Sequence, residues 1–225
     1  MTTRDVLHPP EALPLLIFPC NGNGIEALDC LGHDYRCVGF VDDTPEKQRA
    51  GAHGYRVLGR AALRERCDVH VLAVPGSPAS FLSRRGIIQG LELSDERFAR
   101  VIHPTARVSP LAVVGRNVLV MSGVVVTSNA VIGDHTVILP NTVVHHDVVV
   151  GAWSLIGSNV TIAGGTSIGE NCYIGSGSSI MNGLTIGDRA LVGLGSNVIR
   201  DVPPDAKVVG NPAHQIGAHH EDRRR

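Results

Sequence analysis

A six-residue repeat fills most of the second half of the chain. From Ile102 to Val198 every sixth residue is Val or Ile, and no insertion breaks the phase. Neither the helical period of 3.6 nor the strand period of 2 produces this spacing. A fixed repeat this short is typical of a parallel β-helix built from hexapeptides. We therefore predict triangular coils of about 18 residues, with the branched side chains inside and roughly six coils between residues 102 and 203.

The composition limits the classes of partner. The chain has 225 residues and a formal net charge of −1, so no bulk charge favours nucleic acid or an anionic membrane surface. No apolar run is long enough to span a bilayer. The five cysteines form no CxxC pair. We predict a cytoplasmic protein with reduced thiols, no membrane span and no nucleic-acid partner.

The first hundred residues alternate short apolar runs with helical patterns, which is typical of a small parallel α/β sheet. We predict strands over 13–18, 36–41 and 69–74, helices over 25–31, 61–66 and 78–90, and a loop over 45–59. The predicted fold is a left-handed parallel β-helix preceded by a small α/β, Rossmann-like domain. The predicted domain limits are 1–100 for the small domain, 101–203 for the β-helix and 204–225 for a C-terminal extension. We expect residues 219–225, at the end of this extension, to be disordered.

A glycine-containing turn follows the first predicted strand. The segment Asn21-Gly22-Asn23-Gly24 lies between strand and helix, where free backbone N–H groups can meet an anion. Ligands of parallel sheets bind at this edge. Taken alone, the turn favours nucleotide binding and ordinary turn chemistry equally.

Two acidic residues, Asp42 and Asp43, end the next strand at the same edge of the sheet. Their carboxylates could accept hydrogen bonds from a base or a ribose. A solvated turn leading into Pro45 is the simpler interpretation of the pair taken alone.

The coil length makes residues n and n+18 neighbours on the surface of the β-helix. His146 then lies beneath Gly164, and Asp147 lies beneath Gly165. A histidine beside a carboxylate is the usual arrangement of a general base, because the acid fixes the tautomer and stabilises the imidazolium. The alternative is an ordinary polar corner. We favour the functional hypothesis because the two glycines leave room for a ligand against the backbone.

The other aromatic and imidazole side chains have simpler interpretations. His145 either takes part in catalysis or faces a neighbouring subunit. We expect His103 and His135 to be solvated turn residues, and Trp153 to lie on the surface as an interface or ligand contact. No histidine lies one coil from another within the repeat. Metal binding within one chain is therefore disfavoured, while a site shared between chains stays open.

These segments resemble the bacterial sugar O-/N-acyltransferases of the sialic-acid and bacillosamine type, the NeuD/PglD-like family of hexapeptide-repeat acyltransferases. The resemblance covers nearly the whole chain. The repeat and the closing Gly-Asn-Pro-Ala at 210–213 are specific to acyltransferases, and a small α/β domain before the β-helix is specific to this family. The other matching segments are the turn at 19–24, Gly-Phe-Val-Asp-Asp at 39–43, Val-Ile-His-Pro-Thr-Ala at 101–106, His146-Asp147, and Asp-Val-Pro-Pro at 201–204.

The resemblance implies a homotrimer that uses acetyl-CoA as its cosubstrate. Acetyl-CoA is expected between neighbouring β-helices, and a nucleotide-linked amino sugar on the small domain. The positions that the family pattern assigns are His146 and Asp147 for catalysis, Gly164, Gly165 and Ser176 for acetyl-CoA, and Asn21, Gly22, Asn23, Gly24, Asp42 and Asp43 for the nucleotide sugar.

The implied reaction is acetyl transfer from acetyl-CoA to an amino group of a nucleotide-linked sugar, as in cell-surface glycan or lipopolysaccharide biosynthesis. His146 would accept the proton of the amine, and the N–H of Gly164 would stabilise the oxyanion on the acetyl carbonyl. Two alternatives stay open. One is O-acetylation of a sugar hydroxyl, as in sialic-acid modification. The other is a non-catalytic binding or scaffolding β-helix, suggested by Leu139 and Leu155 at positions where the family often has polar residues.

Overall fold

The computed structural model describes residues 11–218. The segment 219–225, expected to be disordered, lies outside the described residues. The N-terminal part contains strands β1 (Leu13–Phe18), β2 (Tyr35–Val41), β3 (Val57–Leu58) and β4 (His70–Ala73). It also contains helices α1 (Gly22–Glu26), α2 (Pro45–Ala50), α3 (Ala62–Glu65) and α4 (Arg84–Gln89), with 3-10 turns at Ala27–Cys30, Phe81–Ser83 and Asp95–Arg97.

The four strands form one parallel sheet in the order β3-β2-β1-β4. The strands of this part are thus parallel to one another, with a short helix between each pair of consecutive strands. The prediction of a loop over 45–59 was wrong, because it contains α2 and the edge strand β3. Pro45 occupies the first helical position, where its missing N–H costs nothing. Val57 pairs with Phe40 and is buried, which extends the sheet.

The repeat forms a three-sided prism of parallel two-residue strands. Face I contains β5 (Val101–Ile102), β8 (Leu119–Val120), β11 (Val137–Ile138), β14 (Leu155–Ile156), β17 (Tyr173–Ile174), β20 (Leu191–Val192), β22 (Ala206–Val209) and, antiparallel to it, β23 (His214–Ala218). Face II contains β6 (Arg107–Val108), β9 (Val125–Val126), β12 (Val143–Val144), β15 (Thr161–Ile162), β18 (Ser179–Ile180) and β21 (Asn197–Val198). Face III contains β7 (Val113–Val114), β10 (Val131–Ile132), β13 (Val149–Val150), β16 (Ser167–Ile168) and β19 (Thr185–Ile186).

Each strand pairs with the strand one coil away. Val144, for example, pairs with Val126 below and with Ile162 above, so the 18-residue coil is confirmed. The second residue of each strand points inward and packs in one continuous core of Val and Ile. Ile102 and Val108 of the first coil are only partly buried, because no other coil of the described part of the chain lies beneath them.

The small domain covers face I. Leu119, Val137 and Leu155 point outward from this face and are buried in the same cluster as Leu15 and Phe40 of the sheet. The two domains therefore share a core, and faces II and III remain open on the single chain.

Polar side chains fix the corner between faces III and I to the small domain. Asn117 accepts from the N–H of Ala73 at 2.7 Å and donates to its carbonyl at 2.8 Å. One coil further, the ring of His135 stacks on Trp153 with centroids 3.9 Å apart. His135 is 7% exposed, so the expectation of a solvated turn residue was wrong. Sequence spacing could not show that this corner lies under the small domain.

Candidate active site

His146 and Asp147 occupy the corner between faces II and III, after β12 and before β13. Asp147 has φ of +58°, a left-handed conformation that Asp tolerates and that lets the chain turn the corner. The Nδ1 atom of His146 lies 2.7 Å from Oδ2 of Asp147. The two side chains are 63% and 55% exposed, so the pair is accessible from solvent on the single chain.

A third side chain fixes the carboxylate. Asn129, one coil below, donates from Nδ2 to Oδ1 of Asp147 at 3.0 Å. Both carboxylate oxygens are therefore engaged, and these hydrogen bonds, the one to His146 first, lower the pKa of Asp147. The prediction from sequence assigned no role to Asn129. The 18-residue spacing from Asp147 was the available signal.

The pairing determines which imidazole nitrogen is free. A carboxylate can only accept, so Nδ1 carries a proton, and in the neutral imidazole Nε2 is then the nitrogen with the lone pair. A Cβ built on Gly164 would lie 2.6 Å from Nε2, so the imidazole lies directly against this glycine, as the stacking rule predicts. Among residues 11–218, no acceptor meets the N–H of Gly164. A basic nitrogen and a free backbone donor are thus neighbours at this corner.

Gly165 continues the backbone lattice above the pair. Its N–H donates to the carbonyl of His146 at 3.0 Å, and its φ is +70°, a conformation that favours glycine. A Cβ there would meet nothing closer than 4.0 Å, the Cα of Gly183. The backbone above Asp147 is therefore open, whereas the imidazole of His146 takes up the space beside Gly164.

Ser176 lies at a different corner, between faces I and II. Its hydroxyl accepts from the N–H of Ser158 at 3.0 Å. The single chain therefore does not bring Ser176 together with Gly164 and Gly165. A contact from Ser176 to the same acetyl-CoA would have to come from another copy of the chain.

The turn after β1 has the strand, turn and helix arrangement expected from sequence. The side chain of Asn21 caps α1 by accepting from the N–H of Gly24 at 2.9 Å. A Cβ on Gly24 would lie 2.2 Å from the carbonyl oxygen of Pro19, so only glycine fits. Nothing lies within 4 Å of a Cβ on Gly22, so this part of the turn is open. Asn23 donates to the carbonyl of Gly76 at 3.5 Å.

Lys47 joins the glycine turn to the acidic pair. Its ammonium donates to the carbonyl of Cys20 at 2.7 Å and to Oδ2 of Asp42 at 2.6 Å. Burial raises the pKa of Asp42, but the hydrogen bonds of Lys47 and Thr44 outweigh it and lower the pKa overall. Asp43 is exposed and pairs with Arg60. Lys47 was not among the predicted site residues, because α2, which carries it, was expected to be a loop.

The topology separates the two groups of candidate residues. The small domain covers face I, whereas His146 lies at the corner between faces II and III, opposite that face. The turn Asn21–Gly24 of the small domain therefore lies across the prism from His146 of the same chain. Leu155 is 6% exposed and packs on face I near Gly76, in an interdomain contact.

Within residues 11–218, no group of three His, Cys, Asp or Glu side chains could hold a metal ion. No helix in the described part of the chain has the length and apolarity needed to cross a membrane. All five cysteines are free.

The repeat matches the family model described as bacterial transferase hexapeptide (six repeats) over residues 111–145, 129–164 and 165–200. No curated protein matches the chain significantly by sequence. Among solved structures, a histidine-to-asparagine mutant of perosamine N-acetyltransferase from Caulobacter crescentus, in complex with CoA and GDP-perosamine, is 30% identical. The match covers 92% of this chain and 97% of that one, with a TM-score of 0.79.

Two further structures share the fold. The acetyltransferase domain of PglB from Neisseria gonorrhoeae, in complex with acetyl coenzyme A, is 26% identical over 91% of this chain and 100% of that one, with a TM-score of 0.80. WeeI from Acinetobacter baumannii is 23% identical over 91% and 100%, with a TM-score of 0.78, which supports the fold alone. The hexapeptide prism and these matches place the chain in the class of hexapeptide-repeat acyltransferases. Within that class, the chain belongs to the NeuD/PglD-like sugar O-/N-acyltransferase family.

Proposed function

We propose that the protein is an acetyl-CoA-dependent N-acetyltransferase that acts on an amino group of a nucleotide-linked sugar. The observation that carries the proposal is the position of His146, whose Nδ1 is held by Asp147 and whose ring lies against Gly164. The relatives support the choice of ligands, since one is bound to CoA and GDP-perosamine and another to acetyl coenzyme A.

In this mechanism His146 accepts the proton of the attacking amine through Nε2. Asp147 orients the ring and stabilises the imidazolium that forms, and Asn129 keeps the carboxylate in place. The free N–H of Gly164 donates to the oxyanion that develops on the acetyl carbonyl. The intermediate then collapses and the C–S bond breaks. The imidazolium of His146 returns its proton to the leaving sulfur, so CoA leaves as the thiol and the base is regenerated. No covalent enzyme intermediate is required, because binding both substrates together supplies much of the rate.

The active site is proposed to be shared between copies of the chain in a homotrimer. On the single chain, the small domain and His146 lie on opposite sides of the prism. The outer side of face III carries an apolar column, Val113, Val131 and Val149, with exposures of 61%, 38% and 43%. A second copy packed on this column would lie beside the corner of His146. It could contribute its own small domain and its own Ser176 to the site.

The ligand positions follow from that arrangement. Acetyl-CoA would lie along Gly164, Gly165 and Ser176 in the groove between copies. The nucleotide would lie on the segment Asn21-Gly22-Asn23-Gly24 and near Asp42-Asp43. Lys47 supports this assignment, because it places a cation between the turn and Asp42. The same proposal includes left-handed winding of the β-helix, a Rossmann-like small domain and a cytoplasmic location. Its domain limits are 1–100, 101–203 and 204–225.

The decisive experiment measures CoA thiol release from acetyl-CoA with a panel of nucleotide-linked sugars, each with an amino or a hydroxyl acceptor. His146→Ala should lower turnover by roughly 10²- to 10⁴-fold while the melting temperature is retained. His103→Ala is the matched control, because within residues 11–218 its imidazole bonds only to Thr105 of the first coil. Undiminished turnover in His146→Ala would refute the assignment. Absence of acetyl-CoA binding and of turnover with every acceptor would favour a scaffold.

A further inference from the structure

Arg84 is a buried cation at the junction of the two domains. Its side chain is the largest among the fully buried ones, at 0% exposure, although it starts from the six-residue surface helix α4. One guanidinium nitrogen donates to the carbonyl of Pro75 in the small domain. The other terminal nitrogen donates to the carbonyl of His135 in the prism at 2.5 Å. Arg84 therefore joins one loop of the small domain to one corner of the β-helix.

The environment of Arg84 is unusual for a structural arginine. No carboxylate of residues 11–218 forms an ion pair with it, and its Nε atom has no hydrogen-bond partner. Burial alone lowers the pKa of Arg84 to about 9. A buried charge without a counterion is costly, and an apolar side chain of similar volume would often stabilise the fold as well or better. What the guanidinium provides, and an apolar side chain would not, is a fixed position for its two carbonyl partners, Pro75 and His135.

The carbonyl of Pro75 belongs to the loop that follows β4. The next residue, Gly76, accepts the hydrogen bond of Asn23 from the glycine turn. Gly76 has φ of +123°, and a Cβ there would lie 2.9 Å from Cδ1 of Leu155 on face I. The loop is therefore tightly confined between the prism and the glycine turn, and Arg84 is the charged group that holds its first residue.

Other side chains at the corner between faces III and I contact different parts of the small domain. Asn117 holds Ala73 within β4, and Asn171 donates to the carbonyl of Leu82 at 3.2 Å. These hydrogen bonds attach the small domain to the prism, but neither of them involves the loop at 75–77. Arg84 alone among these side chains bonds to that loop.

We propose that Arg84 is a positioning residue that fixes the 75–77 loop against the prism and thereby sets the place of the nucleotide sugar on the small domain. The inference rests on the proposed function, because it assigns the neighbouring turn to the nucleotide sugar. It concerns binding of the sugar nucleotide and leaves the acetyl-CoA groove untouched.

The test compares Arg84→Lys and Arg84→Met with the same two substitutions at Arg97. Arg97 is a matched control, since its guanidinium donates to the carbonyls of Leu63, Arg66 and Val69, all within the small domain and away from the loop. The readouts are the KM values for the nucleotide sugar and for acetyl-CoA, the melting temperature, and hydrogen exchange of the peptide containing residues 75–77.

The Arg84 variants should raise KM for the nucleotide sugar about tenfold, the effect of losing a charged hydrogen bond. KM for acetyl-CoA should stay unchanged, and exchange at 75–77 should become faster. Arg97 variants should lower the melting temperature without changing either KM. If Arg84→Met does not fold, Arg84→Lys carries the test, because lysine keeps the charge but has one nitrogen in place of the two that contact Pro75 and His135.

Unchanged KM for the nucleotide sugar and unchanged exchange at 75–77 in the folded Arg84 variants would overturn the inference. Hydrogen exchange of the peptide containing residues 75–77 is measured on the protein alone and does not depend on enzymatic turnover. If the unaltered chain shows no acetyl transfer with any acceptor, the proposed function fails, and exchange at 75–77 alone decides whether Arg84 fixes the loop.

Discussion

The substitution Gly164→Ala tests the geometry of the catalytic corner without touching the imidazole. The added Cβ would lie 2.6 Å from Cε1 and Nε2 of His146, and 3.1 Å from Nδ1. Ordinary contact begins near 3.4 Å, so the ring must move by about 0.8 Å or rotate away from the ledge. Gly164 does not have a positive φ, so alanine adds no backbone strain there.

The expected effect is a loss of activity with little loss of stability. A displacement near 1 Å costs about 10²-fold in rate when a reacting group must be held in place. It also stretches or breaks the 2.7 Å bond between His146 and Asp147. Because His146 is 63% exposed, the ring can move into solvent. The change in the free energy of unfolding should therefore stay below about 1 kcal/mol, or roughly 4 °C in melting temperature.

The assay is CoA thiol release under saturating acetyl-CoA, with kcat/KM measured for the best nucleotide amino sugar. Gly86→Ala on α4 is the control, since nothing lies within 4 Å of its added Cβ. Gly164→Ala should also cause no further loss in a His146→Ala background, because both changes act through the same ring. A Gly164→Ala enzyme with nearly normal kcat/KM would refute the reasoning that the ring must lie on this ledge.

Three further substitutions test other contacts. Asp147→Asn should lower kcat by about 10²-fold, because an amide that donates to Nδ1 leaves Nε2 protonated and unable to act as a base; a normal kcat would contradict this. Lys47→Met should raise KM for the nucleotide sugar about tenfold with kcat retained, because the link between Cys20 and Asp42 is lost; an unchanged KM would remove Lys47 from the site. Burial lowers the pKa of His135 from 6.5 to about 4, so the folded chain binds its proton later than the unfolded chain as the pH falls. The free energy of unfolding should thus decrease between pH 6.5 and 4, by about 2.5 kcal/mol at pH 4.5, and His135→Gln should abolish that part of the slope in denaturant titrations. Parallel pH profiles for both chains would exclude this role of His135.

The catalytic corner was predictable because its determinants repeat along the chain. Once the coil length is known, n and n+18 are neighbours, and His146 must lie beneath Gly164. The backbone pairing of the prism enforces this register whatever the outward side chains are. The same rule placed Asn129 under Asp147, but only side-chain geometry shows that the two form a hydrogen bond.

The contacts at the domain junction were not predictable in this way. His135 has the sequence surroundings of an exposed corner, and Arg84 those of an exposed short helix. Both are buried because the small domain packs on face I, a contact between segments about 50 residues apart. A periodic pattern specifies which side chains point outward, and it contains no information on which outward surface another domain covers.

The sequence alone therefore determined the prism, the phase of its coils and the histidine–carboxylate corner, because each depends on a short period imposed by backbone hydrogen bonding between successive coils. Only the tertiary structure decided that the small domain lies on face I, that Arg84 and His135 are enclosed there, and that the glycine turn faces away from His146 of its own chain. These outcomes depend on the complementary shape of two apolar surfaces, and such complementarity exists only after both domains have folded.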